Sequence, residues 1–401
     1  MSHENTIHAP IPETSLPTSL FCVVQIFLAF GISLSILYAL LMLVYRLGWA
    51  RQKVFQTPTD FVPTTKVAIV IPARNEAANI EACLHSILGQ NFPKNLLEII
   101  LVDDHSEDAT AALAATFEGV TVLSLKEFSK DFPKTIAFKK QALSCGIRAS
   151  NSPLIVTTDA DCVLPKNWLR NIVALFEKEK AAMVIGPVAF RYKPTIVARF
   201  QSLDFMMMQG ITAAAHQLGI GNMANGANLA FSKAAFDEVA GYEGFNHFAS
   251  GDDYVLRYKM QQKFPTQVHY LKSKEAIVVT DSQPDWSSFF RQRIRWASKS
   301  GKYPDYKLTA ILSLVYLLNV WFLSAIILLP FSPKNWPTVL ALFGTKVIAE
   351  SVFLVPVSGF FSKKKELWIF PFLQPLHIVY IVIAGWLGMI GNYEWKGRKM
   401  H

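Results

Sequence analysis

An α/β domain set between membrane-spanning helices is the fold class this sequence predicts. Three observations predict it. Residues 66–158 alternate short β-branched runs with stretches of helical spacing. Apolar, charge-poor segments flank a stretch of ordinary soluble character at residues 60–290. Acidic residues stand where the β runs end.

The elements follow in order. Lys66-Val67-Ala68-Ile69-Val70-Ile71-Pro72 is a β-branched run stopped by proline, the pattern of a buried parallel strand. Residues 76–88 then place Ile80, Cys83, Leu84 and Ile87 on one helical face. Leu97 to Asp104 repeats the strand pattern and ends in two acids. His105 to Thr110 supplies capping residues, and an alanine-rich helix follows. Val120–Leu123 is a third short strand, Phe138–Ala149 a helix, and Leu154–Thr158 a fourth strand that opens into Asp159-Ala160-Asp161. Such alternation gives a parallel sheet with helices on both faces, and ligands bind at the carboxyl ends of its strands. Pro72 to Glu76, Asp103-Asp104 and Asp159 to Asp161 all fall at those ends.

Hydrophobic residues make up 51% of the 401, and the mean hydropathy is +0.27, high for a soluble protein. Leu20–Tyr45, Leu308–Pro330, Pro337–Val357 and Leu367–Ile390 each approach the roughly 20 residues of a spanning helix. The first lacks a small-residue cleavage site and is expected to be a retained anchor. Lys346 and Glu350 interrupt the third, and Pro371, Pro375 and His377 the fourth, which leaves two or three helices in the late region. The net charge is +9, but the basic residues cluster beside the apolar segments: Arg46, Arg51 and Lys53; Arg291 to Lys307; Lys363 to Lys365; Lys396, Arg398 and Lys399. That pattern favours a cytoplasmic face and anionic lipid, not nucleic acid. It carries one conflict. Three full spans after a cytoplasmic domain leave the basic C-terminal tail outside, unless one late segment is re-entrant or interfacial. The four cysteines have no paired spacing, which argues against disulfides or a zinc site. No Gly-x-Gly-x-x-Gly or Walker loop follows a strand, which argues against dinucleotide or P-loop chemistry.

The residues leave two uses open for each cluster. On an extended backbone Asp159 and Asp161 point to one side, where they can hold a hard divalent cation with substrate phosphates, or they form a plain acidic turn. Glu76 serves a helix dipole or binds a nucleotide, and Asp104 can accept hydrogen bonds from a nucleobase or ribose. Lys139 is a surface cation or a diphosphate ligand. The loop Gly219 to Asn228 allows close backbone approach or is simply a loop. Asp252-Asp253 caps a helix or supplies a general base. Gln292-Arg293-Ile294-Arg295-Trp296 is an interfacial helix with snorkelling arginines, or it neutralises leaving-group charge and stacks on a sugar. Phe205-Met206-Met207-Met208 is a core helix or an acceptor entrance.

Taken in order, these residues resemble the family-2 glycosyltransferases of the GT-A fold in their membrane-anchored bacterial form. The resemblance covers Lys66 to Trp296. Pro72-Ala73-Arg74-Asn75-Glu76 resembles the first nucleotide-binding loop, and Val102 to Thr110 the family's Val-Asp-Asp-x-Ser-x-Asp-x-Thr segment. Lys139-Lys140-Gln141-Ala142-Leu143 resembles Lys-x-x-Ala-Leu, Asp159-Ala160-Asp161 the metal-binding Asp-x-Asp, and Gln292 to Trp296 Gln-x-x-Arg-Trp. Asp252-Asp253 stands where the family has Glu-Asp, so the first residue departs from the pattern and the second is retained.

The resemblance implies a nucleotide-diphospho-sugar transferase, Rossmann-like, with a mixed sheet flanked by helices plus transmembrane helices. The implied reaction is an inverting hexosyl transfer. Asp253, with Asp252 beside it, is the implied catalytic base. Pro72, Glu76, Asp104, Lys139 and Asp159 bind the nucleotide sugar, most simply UDP-linked. Asp161 and Asp159 hold Mg²⁺ or Mn²⁺. Gln292, Arg295 and Trp296 serve the diphosphate and the acceptor. The acceptor is expected to be a lipid or membrane-associated glycan, at the cell's inner (cytoplasmic) membrane. The expected layout is a tail 1–19, an anchor helix 20–46, a cytoplasmic GT-A domain 60–285, an interfacial segment 286–306, a membrane region 307–391 and a basic tail 392–401. A processive polysaccharide synthase is the alternative. An inactive nucleotide-binding scaffold fits the intact carboxylates poorly, and a nucleotidyltransferase lacks its Gly-rich basic loop.

Overall fold

The computed structural model describes residues 18–128, 137–245, 251–299, 305–328, 333–390, 393–395 and 398–400. The N-terminal tail as far as residue 17, Lys302 and Lys396 fall outside them.

Helix α1 (Thr18–Arg51) precedes the sheet. Strands β1 (Val67–Ala73), β2 (Leu97–Asp103), β3 (Val120–Ser124) and β4 (Leu154–Thr157) alternate with α2 (Ile80–Leu88), α3 (Thr110–Ala115) and α4 (Phe138–Ala149). All four strands run parallel. Val67 to Ile71 are fully buried, because helices cover both faces. The expected face of α2 is the buried one: Ile80, Cys83, Leu84 and Ile87 have no exposure. The helix begins at Ile80, later than the expected residue 76, because side chains from the next loop hold the N–H groups of Glu76 and Ala77.

The second half of the sheet is not parallel throughout. After α5 (Trp168–Glu179) come β5 (Met183–Ile185), β6 (Val188–Phe190), α6 (Ile196–Leu218), β7 (Leu229–Ser232), α7 (Lys233–Glu238), α8 (Asp252–Lys263), β8 (Val268–Tyr270) and β9 (Val278–Thr280). Strand β7 inserts antiparallel between β4 and β5, and the order is β3-β2-β1-β4-β7-β5-β8. Strands β6 and β9 form a separate parallel pair. Asn228, from the Gly/Asn loop, ties these parts together. Its Nδ2 donates to the Pro187 and Ala276 carbonyls, both at 2.8 Å, and its Oδ1 accepts from Trp168 Nε1 at 2.9 Å. It is fully buried, so its role is to hold the core and not a ligand.

Helices α9 (Trp286–Ala297), α10 (Tyr306–Leu328), α11 (Trp336–Phe360) and α12 (Phe370–Ile390) complete the chain with a short hairpin, β10 (Tyr393–Trp395) and β11 (Arg398–Met400). Among the described residues, four helices, including α1, are long and apolar enough to cross a membrane. The charges in α11 are paired inside. Lys346 Nζ lies 2.6 Å from Glu350 Oε1 and 2.5 Å from Gln374 Oε1, and Tyr38 OH donates to Glu350 Oε1 at 2.6 Å. A polar group among apolar helices needs such partners.

Two lysines weld helix ends to the α/β domain. Lys272 Nζ donates to the carbonyls of Trp49 and Gln52 at 2.8 and 2.9 Å, closing the C-terminus of α1. Lys363 Nζ does the same for the end of α11, donating to Phe190 O at 2.7 Å and Ser202 Oγ at 2.6 Å.

Candidate active site

Two interlocked loops form the first part of the site. Strands β1 and β2 pair in register to Ala73 and Asp103. Arg74 Nη1 donates to the carbonyls of Asp104 at 3.0 Å and His105 at 2.9 Å. In return Ser106 Oγ accepts from Asn75 N–H at 3.0 Å, Asp108 Oδ2 from Ala77 N–H at 3.0 Å, and Thr110 Oγ1 from Glu76 N–H at 2.8 Å. The Ser-x-Asp-x-Thr pattern is therefore a clamp on the loop that follows β1. It presents Glu76 and the buried Asp104 together. Asp104 Oδ1 lies 3.0 Å from His105 Nδ1, and Glu76 Oε2 accepts from Asn79 Nδ2 at 2.8 Å.

At the end of β4 the strand stops at Thr157, one residue short of expectation, and Asp159 to Asp161 lie in a turn. The turn, not strand alternation, places the two carboxylates. Burial, then the charges of Asp159 and Glu76, push the Asp161 carboxyl up to about 6. Lys139 reaches over from α4. Its Nζ lies 2.7 Å from Asp159 Oδ1 and 3.7 Å from Asp252 Oδ2, so it joins the Asp-x-Asp turn to the next acidic pair.

That pair opens α8. Asp253 Oδ1 accepts from the adjacent Tyr254 N–H at 2.8 Å, and Oδ2 accepts from Gly226 N–H at 3.3 Å. Glycine keeps 226 uncrowded, since a Cβ there would press on Asp252 Oδ2 at 3.1 Å and lie 3.6 Å from Lys139 Nζ. Gly226→Ala is expected to lower turnover while the fold survives, checked by initial rate beside the circular dichroism spectrum.

Environment drives the two aspartates apart. Burial alone works to raise Asp252, but the Lys139 and Lys299 ammoniums outweigh it and hold its carboxyl below the usual range. Burial and the Asp252 charge raise Asp253. Burial, with Arg295 nearby, pushes Lys299 down to about 8. One carboxylate stays ionised while its neighbour gains basicity, the arrangement acid–base chemistry uses.

Helix α9 carries the Gln-x-x-Arg-Trp residues. The buried arginine there is Arg293, which the sequence did not single out. Arg293 Nη2 lies 2.6 Å from Asp204 Oδ2 on α6, and its guanidinium sits 4.2 Å from the Trp296 ring centroid. Tyr380 OH from α12 donates to the same Asp204 at 2.9 Å.

One cavity of about 1250 Å³ joins all of these parts. Every site residue predicted from the sequence lines it: Pro72, Glu76, Asp104, Lys139, Asp159, Asp161, Asp252, Asp253, Gln292, Arg295 and Trp296. So do Met207 and Met208, beside the buried Phe205 and Met206 of the same helix. The cavity continues between the long apolar helices, past Tyr45, Tyr316, Ile381 and Gly385.

Residues 154–384 match Glycosyl transferase family group 2, and residues 68–239 match Glycosyl transferase family 2. The chain belongs to the family-2 glycosyltransferases. A glycosyltransferase of Haloferax volcanii is 28% identical over 47% of this chain and 58% of its own length. A β-monoglucosyldiacylglycerol synthase of Trichormus variabilis is 24% identical over 60% of this chain and 50% of its own. The chain thus spans about half the length of the curated relatives it matches. A mannosyltransferase from Pyrobaculum calidifontis, solved with GDP-Man and Mn²⁺, superimposes with a TM-score of 0.55 at 19% identity, covering 91% of this chain and 99% of that one. The GT-A fold is shared.

Within this family-2 glycosyltransferase, sequence reasoning missed Arg293, Asp204 and Lys299. Each acts with a partner distant in sequence, and no local pattern signals that. The spacing of Arg291, Arg293 and Arg295 could have shown that the middle arginine faces away from its neighbours on a helix.

Proposed function

We propose that the protein transfers a sugar, with inversion, from a nucleotide-diphospho-sugar to a hydroxyl of a lipid or membrane-associated acceptor. The observation that carries this is the continuity of the cavity from the strand-end carboxylates to the membrane helices. The names of relatives support a lipid acceptor, since they include β-monoglucosyldiacylglycerol synthases and a dodecaprenyl-phosphate galacturonate synthase. A uridine donor is the simplest case.

Glu76 and Asp104 hold the nucleoside. Asp253 accepts the proton of the acceptor hydroxyl as its oxygen attacks the anomeric carbon. The bond from that carbon to the diphosphate oxygen breaks, and the nucleoside diphosphate leaves. Asp161 and Asp159 are the residues that would hold Mg²⁺ or Mn²⁺. The raised Asp161 carboxyl fits a cation neighbour, and substrate phosphates and water would complete the shell of such a cation. A bound cation supplies Lewis-acid stabilisation of the departing diphosphate. Lys139, held by Asp159 and Asp252, is positioned to turn to that diphosphate. Arg295 and Trp296 flank it from α9. The basic residues beside the helices favour a cytoplasmic catalytic domain on a multi-pass protein of the inner membrane.

The test supplies labelled nucleotide sugars to membranes containing the protein. Label in a monoglycosylated, organic-extractable lipid is expected. Label in a long polymer sinks this reading and favours a processive synthase. The acid limb of the rate profile is a second check. The base must be ionised, so activity falls as pH drops through the raised value of Asp253, above the ordinary carboxylate range. Lys299 lowers Asp253, so Lys299→Met is expected to move that limb to higher pH.

A further inference from the structure

We infer that α12, although long and apolar enough to cross a membrane, does not cross it. The structure assigns it to the surface of the leaflet on the catalytic side, packed lengthwise on α9, with its outer residues in the lipid.

Asp305 caps α10 by accepting from Lys307 N–H at 3.0 Å, and its other oxygen accepts from Asn222 Nδ2 of the catalytic domain at 2.9 Å. Helix α10 therefore leaves from that domain. The bonds of Lys363 to Phe190 and Ser202 return the end of α11 to the same domain. The two helices are an out-and-back pair, and α12 starts again on the catalytic side.

The far end of α12 is on that side too. Tyr380 meets Phe289 of α9 edge to face, with ring centroids 5.2 Å apart. Eight residues later, a Cβ at Gly388 would lie 2.7 Å from Ala297 Cβ and 2.9 Å from Ser298 N. The two helices thus advance together, and α9 ends beside the catalytic carboxylates. Just beyond it, Lys299 Nζ lies 3.9 Å from where a Cβ would stand on Gly251. A helix of 21 residues is about 31 Å long, at 1.5 Å per residue. Crossing would carry Gly388 nearly the full hydrocarbon thickness, about 30 Å, from the catalytic face. Its contact with Ala297 rules that out. Independently, the backbone of β10, beyond α12, also lies against α9.

The outer face of α12 is apolar: Phe372 is 76% exposed, Trp386 60% and Met389 70%. Its occupant is an anionic lipid leaflet, because basic residues precede and follow it in the sequence, Lys364 and Lys365 before it and Lys396, Arg398 and Lys399 after it. This placement also puts the basic tail on the catalytic side, which removes the conflict between three late spans and the charge distribution.

The test is the sidedness of the full-length protein in sealed vesicles. Cys22 is exposed and is replaced by serine, while Cys83, Cys145 and Cys162 are buried and stay. Single cysteines are placed at Lys94 in the catalytic domain, Lys334 between α10 and α11, and Lys399 in the final hairpin. A membrane-impermeant maleimide is expected to label Lys94→Cys and Lys399→Cys from one side and Lys334→Cys from the other. Labelling of Lys399→Cys together with Lys334→Cys overturns the proposal. A second measurement uses nitroxides at Phe372, Ile383 and Met389 in anionic nanodiscs. Equal shallow depths, read from oxygen against nickel-chelate accessibility, are expected. A profile deepest at residue 383 means a span, and protection from both quenchers means a second protein copy; either overturns the proposal. Neither readout depends on turnover, so the transferase proposal stands or fails separately.

Discussion

Asp253→Asn is expected to abolish glycosyl transfer while leaving donor binding in place. A positioned general base contributes about 10² to 10⁴ in rate. Asp252 is held ionised by Lys139 and Lys299 and is the poorer proton acceptor. Asparagine keeps the size of the side chain and one acceptor oxygen, so the bond from Tyr254 N–H can persist. Glu76, Asp104 and the Asp159 to Asp161 turn remain as they were. The measurement pairs nucleotide release under saturating donor with nucleotide affinity by titration calorimetry. Turnover near the wild-type rate removes Asp253 from the mechanism. Lost nucleotide binding assigns it to the donor side.

Arg293→Met is expected to be the most destabilising single change considered for this chain. The arginine is 3% exposed and carries the charge that offsets Asp204. Burial alone raises the Asp204 carboxyl, and Arg293 chiefly holds it low. Removing one partner of a buried pair costs about 3–5 kcal/mol, because the other charge is left uncompensated. Tyr380 OH still donates to Asp204, which softens the loss. The variant should show a lower thermal midpoint in nanodiscs. Adding Asp204→Leu should recover part of the loss, since the orphan charge then goes. Purely additive losses would mean that the two residues do not act as a pair.

Much of the fold was legible in one dimension. The strands at Val67, Leu97 and Leu154 and the helix at Phe138 lie where β-branched runs and helical spacing predict them. Burial on two faces demands uniform apolar runs, and burial on one helical face demands its own period. The motifs were legible for a related reason. Loops at strand ends must carry both the ligand-binding groups and the groups that clamp the loops. Ser106, Asp108 and Thr110 therefore sit within a few residues of Asp104.

What was not legible depends on distant partners. Strand β7 reverses the sheet's direction, and its neighbours β4 and β5 are chosen by packing across the core. Lys139 is an ordinary lysine at a helix start until the fold sets it between Asp159 and Asp252. Arg293 and Arg295 are equal candidates along the chain, and only Asp204, some ninety residues earlier, separates a buried ion pair from a cavity-lining cation. Hydropathy and length identify α12 as apolar, but they carry no direction. The residues alone determine that the helix must avoid water. Its contacts with Phe289 and Ala297 decide that it does so along the membrane surface, because helix orientation is set by the surface it packs on.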